Sequence, residues 1–111
     1  MNINSVEVLE EYTTYIRDLP SGLKKILNNI EMENYEVVPH QILLLTEGME
    51  WLLSANQYLI SNNTVSENVI EVLNPHLESL LNGLGKKDYV LISDIVEYEL
   101  IPYFEELKEL N

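Results

Sequence analysis

The chain has 111 residues, no cysteine, and 19 acidic against 6 basic residues, for a formal net charge of −13. A chain of this length can bury enough surface to fold as one domain over 1–111, and the missing cysteines exclude disulfides, thiolate nucleophiles and zinc–thiolate centres. So few cations disfavour binding to nucleic acid or to an anionic membrane, and with neither a signal peptide nor an apolar span we expect a cytoplasmic protein.

The first two predicted helices are separated at Pro20. Asn4 or Ser5 can cap the first helix, which we expect to stop before the proline because the residue before a proline disfavours the helical conformation. Ser21 then caps a shorter second helix. Its apolar stripe has the i, i+3, i+4, i+7 spacing of an amphipathic helix and consists of Leu23, Ile26, Leu27 and Ile30.

A third helix is predicted to begin at Pro39, a residue that suits the first helical position. Its polar side is narrow and consists of Thr46, Glu47, Glu50, Ser54 and Gln57. Most other positions are apolar, including Leu44 and Trp51. Because a helix that is apolar over more than half its circumference contacts several neighbours, we place the third helix at the centre of the bundle.

Thr64 and Glu67 form a capping box that opens a fourth helix, and Pro75 lies inside it. The apolar residues on the two sides of the proline share one face: Val65, Val69, Val72 and Leu73 before it, and Leu77, Leu80 and Leu84 after it. An unbroken phase predicts one kinked helix rather than two. Gly83 or Gly85 is expected to end it.

Asp88 caps the last predicted helix, which runs to about Leu110 and contains Pro102 without a change of its apolar face. The connections between the helices are short, so neighbouring helices are expected to run antiparallel. The sequence therefore predicts an all-α, single-domain bundle of four to five antiparallel helices with a central apolar third helix.

Two polar residues lie where the helical projection places apolar ones. Asn56 falls within the apolar arc of the third helix, and Glu99 within that of the last helix. Because a buried, unpaired carboxylate is costly, Glu99 must be paired, protonated, or directed into a cavity or an interface. Two interpretations remain open: a hydrogen bond of Glu99 in the core or at its boundary, to a tyrosine hydroxyl or to Asn56, and a groove for a partner or ligand. Gly48, on the face of Asn56, allows a close helix approach.

The residues able to carry chemistry form no recognised catalytic or metal-binding pattern. The two histidines, His40 and His76, do not belong to the Glu-x-x-His pairs of a di-iron bundle, and no serine lies in a nucleophile-elbow motif. Asp94 and Glu97 share a helix face, whereas Glu99 projects elsewhere. We therefore expect neither an enzyme nor a bound metal or cofactor.

Apolar residues on the outer side of the last helix favour a protein partner. Val90 and Ile101 project beside acidic residues, a mixture that suits an amphipathic basic helix. The same surface suits a homodimer whose contacts include Tyr98, Ile101 and Phe104, because aromatic residues often anchor interfaces.

Two stretches resemble known families. Ile42 to Leu59, ILLLTEGMEWLLSANQYL, is similar to the Leu-rich, Gly-containing helix of flagellar export chaperones. That resemblance implies a small acidic bundle that holds the amphipathic helices of a secreted subunit. Lys87 to Pro102, KDYVLISDIVEYELIP, resembles the C-terminal segment of small uncharacterised helical proteins of Gram-positive bacteria, a family that implies no particular activity.

The expected function is that of a cytoplasmic, bacterial protein-interaction module, chaperone-like or adaptor-like, that binds another protein or a second copy of itself. A structural or regulatory homodimer is one alternative. A helical bundle that binds a small molecule or a metal ion through Glu99 and Asn56 is the other. The candidate residues that face a partner or ligand are Asn56, Glu99, Tyr98, Ile101 and Phe104.

Overall fold

The structure is a computed structural model that describes residues 3–65 and 70–110. The helices are α1 (Ile3–Glu31), α2 (Val38–Ser61), α3 (Asn74–Gly85), α4 (Tyr89–Asp94) and α5 (Ile101–Leu110). A 3-10 turn (Glu71–Leu73) precedes α3, and a π-helical segment (Ile95–Leu100) joins α4 to α5 without a break. We call α4, this segment and α5 together the C-terminal helix. The described residues contain no strand, which confirms the all-α prediction.

α1 continues through Pro20, where the sequence analysis predicted a break. The buried residues on both sides of the proline keep one phase, with spacings that alternate between four and three: Tyr12, Ile16, Leu19, Leu23, Ile26 and Ile30. A proline in a helix interior costs about 3 kcal/mol, whereas each buried side chain of this kind contributes about 1.5–3 kcal/mol. The continuous stripe outweighs the lost hydrogen bond, so the predicted second helix is the C-terminal part of α1.

None of the four described helices lies at the centre of the bundle. α1 packs against α2 and the C-terminal helix, and α3 packs against the same two helices. The apolar helix that begins near Pro39, α2, is therefore one of four that surround a shared core rather than the central one. Because α2 carries more apolar residues than its neighbours cover, Leu43 and Leu44 remain 48% and 53% exposed.

α3 begins at Asn74, so Pro75 lies in its first turn. The missing N–H group of a proline costs nothing there, because first-turn N–H groups have no partner within the helix. The predicted single helix from Thr64 through Pro75 is therefore wrong, and Thr64 lies in a bend. Glu67, its predicted capping partner, lies outside the described residues. Gly85 ends α3, as predicted.

The C-terminal helix begins after Asp88, whose carboxylate Oδ1 accepts a hydrogen bond of 3.0 Å from the Leu91 backbone N–H. The predicted N-cap is thus confirmed. At the end of the π-helical segment, the Ile101 N–H donates to the Val96 carbonyl, five residues earlier. Pro102 follows directly and has no N–H to donate. The π-helical turn therefore lies next to the position where the proline interrupts the hydrogen bonds of the α-helix.

The π-helical segment turns Glu99 away from the core. Each residue of a π turn advances by about 80° around the axis, compared with about 100° in an α-helix. Over the segment the difference accumulates, so that Leu100 and Phe104 reach the face of Ile92 and Val96, and all four are fully buried. Glu99 moves to the surface, where its side chain is 56% exposed. Its predicted place inside the apolar arc is therefore wrong. None of the described helices combines the length and the apolar composition needed to cross a membrane.

Candidate partner-binding site

Asn56 is buried in the interface between α1 and α2. Its Nδ2 donates a hydrogen bond of 3.0 Å to the Tyr12 hydroxyl, so a tyrosine hydroxyl of the kind predicted for Glu99 pairs with Asn56 instead. Burial raises the pKa of Tyr12; the hydrogen bond from Asn56 lowers it in part, and the charge of Tyr103 raises it further. Asn56 Oδ1 is also buried, and no described residue donates a hydrogen bond to it. This amide therefore fixes how α1 and α2 pack.

Glu99 lies on the surface beside α3 rather than beside Asn56. Its Oε2 lies 3.9 Å from His76 Nε2, and the His76 side chain is 27% exposed. An ion pair at this distance and exposure contributes little to stability. Since Asn56 lies in the core and Glu99 on the surface, the two residues do not form one site. The described residues contain no group of three or more His, Asp or Glu side chains placed to hold a metal ion.

The three remaining candidates of the C-terminal helix have different environments. Tyr98 is 66% exposed, and Ile101 is half-buried. Phe104 is fully buried and contacts Tyr103 edge to face, with 5.7 Å between the ring centroids. Phe104 therefore belongs to the core of the bundle, and of the three only Tyr98 offers most of its side chain to a partner.

A groove at the surface of the bundle has the features of a binding site. It lies between α1 and α2, has a volume of about 420 Å³, and is lined by Glu11, Tyr15, Leu44, Glu47, Gly48 and Trp51. We call it the Tyr15–Trp51 groove. The two rings are tilted by 55° with centroids 6.0 Å apart. Both side chains are half-buried, so each ring packs on the core and also borders the groove.

Gly48 shapes this groove. A Cβ atom at Gly48 would overlap the Tyr15 hydroxyl, so only glycine lets the tyrosine ring lie this close to α2. Burial raises the pKa of Tyr15, which keeps the hydroxyl protonated and neutral in the physiological range. The close approach that the sequence analysis assigned to Gly48 is therefore present, although it serves Tyr15 rather than Asn56.

The charged residues of the groove are all acidic. Glu11 and Glu47 line it, and an adjoining cavity of about 450 Å³ shares Glu11 and Tyr15 and adds Glu10, Thr14 and Asp18. No lysine or arginine lines either cavity. An apolar floor with an acidic rim is complementary to a cation carried on an apolar segment.

The helical projection of the sequence does not predict this groove, because it places Leu44 and Trp51 in the apolar arc of α2. Leu44 is in fact 53% exposed. Two features of the sequence did point here: the surplus of apolar residues on this helix and the glycine at position 48. Tyr15 had no such indication, since its spacing along α1 is that of an ordinary core residue.

Residues 7–110 match a family described as "Domain of unknown function (DUF8042)". The match spans nearly the whole chain and agrees with the predicted resemblance to an uncharacterised family. Neither the curated proteins nor the solved structures gave a match.

Proposed function

We propose that this chain, which belongs to the DUF8042 family, is a protein-interaction module that binds a basic, amphipathic segment of another protein. The binding surface is the Tyr15–Trp51 groove. The observation that carries the proposal is the combination of the exposed Leu44 side chain and two half-buried aromatic rings with a rim that is exclusively acidic.

The chemistry of the groove defines the partner. Leu44 and the Trp51 ring offer apolar contact to one or two side chains, which is as much as about 420 Å³ accommodates. Glu11 and Glu47 can pair with a lysine or arginine of the same segment, and a tryptophan face also attracts such a cation. A helix with apolar residues on one face and cations at its edges meets these requirements.

The net charge of the whole chain also favours a basic partner. A net charge of −13 attracts a basic segment from a distance and repels acidic ones. This attraction raises the rate of association and weakens as salt is added. Binding should therefore depend on ionic strength more strongly than apolar contact alone would require.

A chaperone-like or adaptor-like role in the bacterial cytoplasm is part of the proposal. The stretch of α2 that resembles flagellar export chaperones, residues 42–59, carries four of the six groove residues: Leu44, Glu47, Gly48 and Trp51. Holding one or two apolar side chains of a basic helix until that helix binds its final partner is a task that such a groove can perform.

Trp51 provides the test, because it is the only tryptophan in the chain. We would titrate the protein with an amphipathic helical peptide of leucine and lysine, and with the same peptide in which glutamate replaces every lysine. The lysine peptide should produce a saturable change in Trp51 emission that weakens with salt, and the glutamate peptide should produce none. Equal responses to the two peptides would refute the proposed partner chemistry.

A matched pair of variants locates the binding surface. Leu44→Ser removes an exposed leucine from the groove, and Leu81→Ser removes one on α3 that is 42% exposed. The first should weaken binding of the lysine peptide, and the second should leave it unchanged. If light scattering instead shows a dimer that Leu44→Ser dissociates, the groove belongs to a second copy and the proposed partner is wrong.

A further inference from the structure

Folding brings four of the chain's six basic residues to one open cavity. Arg17, Lys24 and Lys25 come from α1, and Lys108 comes from α5. The cavity has a volume of about 1150 Å³ and shares no lining residue with the Tyr15–Trp51 groove. We propose that this cavity binds a small ligand that carries two or more phosphate groups.

The four cations are exposed, and three of them have no carboxylate partner among the described residues. With 19 acidic residues in the chain, each base could lie beside a carboxylate, yet only Asp18 and Glu105 line the cavity. Lys24 Nζ lies 3.0 Å from Glu105 Oε1. Arg17 donates to the Thr14 hydroxyl over 3.2 Å, and no described carboxylate lies within ion-pair distance of Arg17 or of the two other lysines. Neighbouring like charges repel one another, and a bound anion removes that repulsion.

Gly22 is a second indication that the cavity binds a ligand. It lies in the interior of α1 and lines the cavity. A Cβ atom added there would meet nothing within 4 Å, so packing does not require a glycine at this position. Glycine weakens a helix relative to alanine. Its presence leaves the backbone of α1 open to a ligand at the centre of the basic cluster.

The arrangement of the donors selects a short polyanion. Arg17 and Lys24 are separated by about 10 Å along the helix axis, so a single phosphate reaches only part of the cluster, whereas a chain of two or three phosphates contacts both ends. Arginine pairs with phosphate through two hydrogen bonds, and Ser21 and Asn28 add neutral donors. A long polyanion is excluded, because the surrounding protein is strongly acidic and repels it.

The test uses the full chain and two probes, inorganic tripolyphosphate and ATP, in titration calorimetry at low salt. Both should bind if the phosphate chain is the recognised group, and binding of ATP alone would assign the site to a nucleotide. Inorganic phosphate should bind far more weakly. Absence of binding by both tripolyphosphate and ATP would overturn the proposal.

Two double variants of equal charge separate a site from general electrostatics. Arg17→Gln with Lys25→Gln removes two cations from the cavity, and Lys86→Gln with Lys87→Gln removes two exposed cations that do not line it. The first should weaken tripolyphosphate binding by about tenfold or more, since two charge-assisted contacts are lost, and the second should change it little. Equal losses in the two variants would refute the site. Gly22→Ala, which keeps every charge and favours the helix, should also weaken binding.

Discussion

Gly48→Ala tests the geometry on which the proposed groove depends. The new Cβ would overlap the Tyr15 hydroxyl, so the tyrosine ring must leave its position against Trp51. The loss of the ring contact costs about 0.5–1.5 kcal/mol, and the loss of the half-buried packing of Tyr15 costs about 1 kcal/mol. Alanine returns about 1 kcal/mol through its higher helix propensity. The free energy of unfolding should therefore fall by about 1 kcal/mol.

The sign of this effect should reverse when the tyrosine is absent. In a Tyr15→Ala background the overlap no longer exists, so Gly48→Ala should stabilise the protein by about 1 kcal/mol through helix propensity alone. Gly22→Ala provides the control in the native background: its Cβ meets nothing within 4 Å, and it should also stabilise. Urea unfolding followed by far-UV circular dichroism gives the three changes in the free energy of unfolding: Gly48→Ala in each of the two backgrounds, and Gly22→Ala in the native one. A stabilising Gly48→Ala in the native background would refute the close contact between Tyr15 and α2.

Three further predictions concern the stability of the protein: the effect of the buried Tyr12 hydroxyl, the effect of the exposed Glu99 beside His76, and the effect of alkaline pH. Tyr12→Phe removes the acceptor of Asn56 Nδ2 and should lower the free energy of unfolding by about 1–3 kcal/mol, measured by urea unfolding. Glu99→Gln should change stability by less than about 0.5 kcal/mol in the same assay, and a loss of several times that value would show that the carboxylate is buried. Burial raises the pKa of three tyrosines above the ordinary value of 10.0, so the folded state holds their protons more tightly than the unfolded state does. The stability that Tyr12, Tyr15 and Tyr103 contribute should therefore be fully present below about pH 10 and be lost above it, and a urea midpoint that rises between pH 9 and pH 11 would contradict this sign.

The two prolines show how far sequence periodicity predicts this fold. The same phase argument applies at both positions, since the apolar stripe continues through Pro20 as well as through Pro75. In the structure Pro20 lies inside a helix and Pro75 in a first turn. Buried residues lie on both sides of each proline, yet Ile70 to Leu73 form a bend and a 3-10 turn rather than a continuation of α3. The phase of the apolar stripe therefore does not distinguish the two outcomes.

The two polar candidates show the same limit at the level of single residues. Asn56 is buried as its projection predicts, because α2 is a regular α-helix at this point. Glu99 is exposed because the π-helical segment changes the rotation per residue, which a projection at a fixed angle does not include. Pro102 was the one local hint of that irregularity.

The two proposed binding surfaces depend on tertiary structure in different degrees. The surplus of apolar residues on α2 and the glycine at position 48 were visible in the sequence, and together they indicate that part of this helix lies at a surface. The basic cavity was not visible, because Lys108 joins Arg17, Lys24 and Lys25 only when α5 packs against α1. In the sequence these bases look few and scattered.

The most direct test of the proposed function is to map the amides that shift when the lysine–leucine peptide is added to the ¹⁵N-labelled chain. We predict that the largest changes in the ¹H–¹⁵N spectrum occur at Tyr15, Leu44, Gly48 and Trp51, together with the Trp51 indole N–H. Changes centred instead on Tyr98 and Ile101 would place the partner on the C-terminal helix and contradict the assignment of the groove.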